Sequence, residues 1–172
     1  VYGKTKAICE EILAATDMNV ARLRYFNACG RNVKANLHEE HEPETHLIPL
    51  LVKNKQATIY GNTWATKDGT CIRDYVHVVD ICRAHIQAYR YLETQEKANF
   101  AVNVGSSKGY SVKEVVDKVN QIIHNGEMDI VYEDRRNGDT PYLVADNTKL
   151  KELLDYTPSY TLDDIIESMK LS

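Results

Sequence analysis

The sequence predicts an α/β fold, and three observations carry that expectation. Segments of helical period alternate along the chain with short apolar or β-branched runs. Phe100 to Val104 reads as a continuous apolar strand stopped by Gly105, the pattern of a parallel strand covered on both faces. Ser111 with Glu114 three residues on is a capping box that opens a helix reaching about His124.

The remaining elements follow in order. Residues 2 to about 15 predict a helix, with Ile8, Ile12 and Ala15 as its inward stripe. Asn19 to Phe26 alternates β-branched and aromatic residues with others, so a strand should deliver Asn27 to its end. Ala28 to Thr45 is a long polar loop, a length more often functional than idle. It carries His38, Glu39, Glu40 and His41, with His46 just beyond, but the spacing matches no helix-borne ligand pair. A solvated loop with no metal is the better reading.

His46 to Lys53 predicts a short apolar helix, and Ala57 to Tyr60 a strand ended by Gly61. Turn residues surround the single Trp, Trp64, before a strand over Cys71 to Val78. A long helix follows to about Leu92, with Ile81, Ala84, His85 and Ala88 at core spacing. Ile130 to Tyr132 is a short strand and Arg135 to Asp139 a charged loop. Helices near Thr148 to Leu154 and Thr161 to Leu171 flank Pro158.

Composition bounds the function. At 172 residues the chain suits one domain, with 43% apolar and 27% charged residues as in ordinary globular proteins. A net charge of −4 argues against nucleic acid or an anionic membrane as partner. The longest apolar run, Leu47 to Val52, is far short of the roughly 20 residues of a bilayer span. Four cysteines at irregular spacing favour neither a disulfide scaffold nor a zinc ribbon, and point to a reducing cytoplasm.

Two patterns could carry chemistry. Tyr2 and Lys6 stand one helical turn apart, where an ammonium favours the phenolate and makes the phenol a usable acid–base group. Lowering a phenol from about 10 to about 7 takes roughly 4 kcal/mol. Arg73 and Arg136, from separate loops, would suit a diphosphate through their planar donor forks. The competing reading pairs each with a nearby acid, Asp74 or Asp139. Gly105-Ser-Ser-Lys-Gly109 is neither a dinucleotide fingerprint nor a Walker loop, and no other candidate exists.

Five stretches occur in a telling order: Tyr2-Gly-Lys-Thr-Lys6, Leu23-Arg-Tyr-Phe-Asn27, Thr45-His-Leu-Ile-Pro49, Asp68-Gly-Thr-Cys-Ile-Arg-Asp-Tyr-Val-His-Val78 and Arg135-Arg-Asn-Gly-Asp139. Together they resemble the second half of the UDP-glucose 4-epimerase family, within the extended short-chain dehydrogenases/reductases. The stretch through Arg73-Asp74-Tyr75 is similar to the epimerase version; related dehydratases often carry Trp after Arg-Asp.

The resemblance implies an incomplete Rossmann-type fold, its last sheet strands joined to a small α/β substrate-binding domain. Residues 1–27 and 71–105 would be the remnant of the NAD-binding domain, and 28–70 with 106–172 the UDP-sugar-binding domain. It further implies epimerisation of UDP-glucose and UDP-galactose at sugar carbon 4 through a 4-keto sugar, with NAD bound throughout. Tyr2 would be the acid–base on the C4 hydroxyl and Lys6 its activator, both also touching NAD, with Phe26 beside the nicotinamide. Asn27, His46, Leu47, Arg73, Arg136 and Asp139 would hold UDP, Thr58, Ile59 and Tyr60 would frame uracil, and Leu143 would lie near the sugar.

The family's Gly-rich cofactor half would precede Tyr2, some 120 residues in about four βα units. On that reading the 172-residue chain alone is expected to lack epimerase activity and to fold poorly through open strand edges. The complete protein is expected to be a homodimer. A non-catalytic UDP-sugar-binding module, or an enzyme of another nucleotide sugar, remains the alternative.

Overall fold

The computed structural model describes residues 1–170. Its elements are α1 (Tyr2–Ala14), β1 (Val20–Tyr25), β2 (Asn27–Cys29), α2 (Leu47–Lys53), β3 (Gln56–Tyr60), β4 (Ile72–His77), α3 (Val78–Thr94) and β5 (Asn99–Val104). These are followed by β6 (Gly109–Ser111), α4 (Val112–His124), β7 (Asp129–Glu133), β8 (Tyr142–Leu143), α5 (Thr148–Leu154) and α6 (Leu162–Ser168). The class is α/β with parallel pairings, as expected from helix–strand alternation.

Three small sheets result. β1 and β5 are parallel, from Val20 opposite Asn99 to Tyr25 opposite Val104. β4 is the hub of the second, parallel to β2 and β8 and antiparallel to β6. β3 and β7 form a parallel pair in which Tyr60 faces Glu133. The chain leaves β5 at Phe26, whose N–H bonds to the Val104 carbonyl, and Asn27 opens β2 alongside β4. Asn27 therefore begins a new strand rather than ending the first.

β4 is also a seam between two apolar clusters. Tyr75 packs with Ile48, Leu51, Ile59, Val116 and Ile165, while its neighbour Val76 packs with Ile81, Ala84, Phe100, Val102 and Leu150. Alternation along a strand sends adjacent side chains to opposite faces, so one strand serves both cores. Leu150 and Leu154 place α5 with the second cluster, against β5 and α3.

Local signals account for several boundaries. The Ser111–Glu114 box forms reciprocally and starts α4, while Asn125 in the left-handed conformation ends it. A second box, Thr161 with Asp164, starts α6.

Three expectations need correction. Ile8, Ile12 and Ala15 are exposed, because among the described residues no element covers that face of α1. The helix is instead tied to β1 by polar contacts: Arg24 grips the Glu10 carboxylate with two donors, and an Arg22 guanidinium N–H donates to the Glu10 carbonyl at 3.0 Å. His85 is exposed rather than core; its Nδ1 donates to the Ile81 carbonyl, leaving Nε2 to accept from the Tyr25 hydroxyl at 2.7 Å. β5 is fully covered on one face only, with Phe100, Val102 and Val104 buried and Ala101 and Asn103 half-buried.

Candidate active site

α1, β1, β2 and the start of α2 enclose a cleft of about 1050 Å³. Six of the residues expected from sequence line it: Tyr2, Lys6, Phe26, Asn27, His46 and Leu47. Tyr2 and Lys6 share a face of α1, with the ammonium 5.6 Å from the centre of the Tyr2 ring. Tyr2 is 77% exposed, so its hydroxyl is open to an incoming ligand. The Asn27 side-chain amide donates to the Asp74 carbonyl at 2.7 Å, which fixes it against β4.

The cleft also takes in residues that spacing did not single out. Glu10 and Arg24 form the ion pair on its wall, and Tyr75 and Cys82 contribute from β4 and α3. The hydrogen bonds from Arg24 hold the Glu10 carboxyl below the usual carboxylate range. Burial pushes the Tyr75 phenol upward, so it stays protonated at neutral pH.

His46 caps the approach to α2, and its Nδ1 lies 2.9 Å from Glu39 and 3.0 Å from Glu44. His41, Glu44 and His46 bring one ligand atom each within 4.8 Å of one another. The same Glu44 oxygen already accepts from the Thr45 and His46 amides, and His41 Nδ1 donates to the Pro43 carbonyl. The cluster is thus held together by its own hydrogen bonds.

Arg73, Arg136 and Asp139 converge at a second locus. Arg73 donates to the Thr140 and Ile72 carbonyls at 2.7 and 2.9 Å, and approaches one Asp139 oxygen at 3.2 Å. The Arg136 Nε stands 3.7 Å from the other Asp139 oxygen, and its guanidinium lies 4.3 Å above the Tyr60 ring. Both arginines therefore meet over one carboxylate, which combines the two readings open from sequence: they converge, and they pair with an acid. Asp74 pairs with neither. It is fully buried and accepts from the Ser106, Ser107 and Ala145 amides.

Of the segment 58–60, Thr58 and Tyr60 are half-buried, whereas the Ile59 side chain lies wholly in the core. Ile59 can offer only backbone to a ligand, because alternation in β3 turns it inward. Leu143 is 51% exposed on β8, paired with Arg73. The two loci are joined along β4: Arg73 and Tyr75 share one face of the strand, about 7 Å apart at the usual rise.

His77, at the far end of β4, caps α3 by accepting from the Val79 amide at 3.0 Å and stacks on Tyr160. Burial keeps this imidazole below its ordinary value of about 6.5. The unfolded chain binds a proton there that the folded chain refuses, so stability is complete above about pH 6.5 and declines as pH falls below it. Urea midpoints should drop between pH 7.5 and 5.5, and His77→Asn, which can still cap α3, should flatten that interval. An unchanged slope in the variant would refute this assignment.

The sequence profile of the family described as GDP-mannose 4,6 dehydratase matches residues 1–169. The chain belongs to that family. The UDP-glucose 4-epimerase of Rhizobium meliloti (strain 1021) is 39% identical over 176 residues, covering 97% of this chain and 53% of the relative. Among solved structures, UDP-glucose 4-epimerase from Brucella ovis in complex with NAD superposes with a TM-score of 0.88 at 39% identity, over 97% of this chain and 54% of that one. The Bifidobacterium longum enzyme in complex with NAD+ and UDP gives a TM-score of 0.86 at 30% identity, over 97% and 52%. The chain thus spans about half the length of the relatives it matches. Its fold is the Rossmann-like α/β fold of these enzymes. Among the described residues, no helix is long and apolar enough to cross a membrane.

Proposed function

We propose that this chain is the carboxy-terminal, sugar-nucleotide-binding half of an NAD-dependent UDP-glucose 4-epimerase. The observation that carries the proposal is the meeting of Arg73 and Arg136 over Asp139, joined along β4 to the cleft that holds Tyr2 and Lys6. Two guanidinium forks from separate loops match a diphosphate, and the Tyr60 ring beside them offers a stacking face for uracil. Asn27, His46 and Leu47 extend the site into the cleft, Thr58 and the Ile59 backbone flank Tyr60, and Leu143 borders the sugar end.

Tyr2 exchanges a proton with the sugar hydroxyl at carbon 4, with the Lys6 ammonium 5.6 Å from the centre of its ring. Tyr2, Lys6 and Phe26 fit the nicotinamide-ribose end of NAD, since together they line one wall of the cleft. NAD, when bound, supplies a hydride acceptor and donor for carbon 4. The domain division 1–27 with 71–105 against 28–70 with 106–172 is kept, with α5 resting on the first of these. For a protein of the relatives' length, the exposed Ile8 and Ile12 face of α1 supports a homodimer, and four free thiols suit the cytoplasm.

Calorimetric titration of the chain with UDP tests this reading. Saturable one-to-one binding that weakens with salt is expected, because charged donors face the phosphates. Absence of binding at about 1 mM UDP, a free energy of roughly −4 kcal/mol, by a chain that unfolds cooperatively in urea would overturn it.

A further inference from the structure

Next to the proposed diphosphate site stands a pair of residues that no resemblance assigned a role, Arg135 and Trp64. β3 and β7 are parallel and in register at Tyr60 and Glu133, so the loops after them leave the same sheet edge side by side. The Arg135 guanidinium lies 4.0 Å above the Trp64 ring. One of its terminal nitrogens donates to the Thr63 hydroxyl at 2.7 Å and also to the Thr63 carbonyl. Consecutive arginines on one loop are therefore laid over two aromatic rings of the other, Arg135 on Trp64 and Arg136 on Tyr60.

Gly61 makes the first stack possible. Its φ is +80°, and a Cβ there would come within 2.7 Å of both the Arg135 Cγ and the Trp64 Nε1. The Trp64 indole nitrogen is buried with no hydrogen-bond partner among the described residues. Leaving that donor unpaired is unfavourable, so the close approach of the two side chains over Gly61 must offset it.

The two arginines differ in what they have left to give. Arg135 has its plane on an indole and donors on Thr63. Arg136 stacks on Tyr60 and comes no nearer than 3.7 Å to Asp139, so among the described residues its side chain makes no hydrogen bond and keeps its donors for an anion. We propose that Arg135 is a positioning residue: clasped by Trp64 and Thr63 over Gly61, it fixes the 134–138 loop so that Arg136 is already poised where a diphosphate arrives. This inference rests on reading Arg73, Arg136 and Asp139 as the UDP site. Without the clasp the loop must be ordered during binding, and affinity falls by that entropy.

A double-mutant cycle on the full chain, read by calorimetry with UDP, tests the inference. Arg135→Ala should weaken UDP about tenfold, and Arg135→Lys, which keeps a cation over the ring, should recover most of the loss. In an Arg136→Ala background, Arg135→Ala should change affinity by less than about twofold, because the residue it positions is gone. Trp64 is the only tryptophan, so iodide quenching reports the clasp directly, and Arg135→Ala should raise it severalfold. Failure of the unaltered chain to bind UDP overturns the site itself. Normal UDP affinity in Arg135→Ala overturns the positioning role alone, as does an equal loss with and without Arg136.

Discussion

Arg73→Ala is expected to weaken UDP binding by about 100-fold, equivalent to roughly 2.7 kcal/mol. The arginine is held ready: its side chain is only 14% exposed, and two carbonyls with one carboxylate fix the guanidinium plane. A ligand diphosphate would meet a preset fork and spend little on ordering it. Removal also leaves Asp139 facing the incoming phosphates with only the more distant Arg136 to neutralise it. Arg73→Lys should recover little, since a point ammonium cannot serve Thr140, Ile72 and a phosphate together. Titration of the variant with UDP decides the matter; a loss smaller than threefold would remove Arg73 from the binding site.

One residue further along β4 the expected effect falls on stability. Asp74→Ala should destabilise the fold by about 3–5 kcal/mol, since each buried donor left unpaired costs about 1–3 kcal/mol. The Asp74 carboxylate is fully buried and accepts from the Ser106 amide and hydroxyl, the Ser107 amide and the Ala145 amide. Among the described residues no cation balances it; four donors do. Deleting the carboxylate strands the three amides, while the Ser106 hydroxyl keeps the Lys108 carbonyl at 3.2 Å, in a place where Gly105 already leaves no room for a Cβ. Urea unfolding of the variant should show the loss, and a change below 1 kcal/mol would mean that water repairs the site. Arg73 and Asp74 thus divide along the pleat, one turned to Thr140 and Asp139 and one to the buried fold.

Local chemistry was legible from the chain. The Ser111 and Glu114 pair starts α4 as read, and α5 occupies the expected span. What depends on distant partners was not. Periodicity marked Ile8 and Ile12 as one apolar face of α1, but a period says nothing about what covers a face. His85 sat at core spacing, yet its bond to Tyr25 keeps it at the surface. β6 and β8 have three and two residues, and only their pairing with β4 makes them strands. At the site, ordered motifs marked Tyr2, Lys6, Arg73, Arg136 and Asp139, and the structure brings the two arginines together over the Asp139 carboxylate. Ile59 was swept in as the middle of a three-residue segment, and strand alternation buries it. The Arg135 stack on Trp64 joins loops about seventy residues apart, beyond the reach of any local pattern.

The grip of Arg24 on Glu10 makes α1 a lever. Eight residues separate that fulcrum from Tyr2, about 12 Å at the helical rise. A tilt of about 5° at the pivot would swing the phenol by about 1 Å, a displacement that can cost about a hundredfold in rate. A bidentate ion pair resists rotation about the helix axis better than tilting. Whatever settles against the free side of α1 would then set where the Tyr2 hydroxyl stands in the cleft.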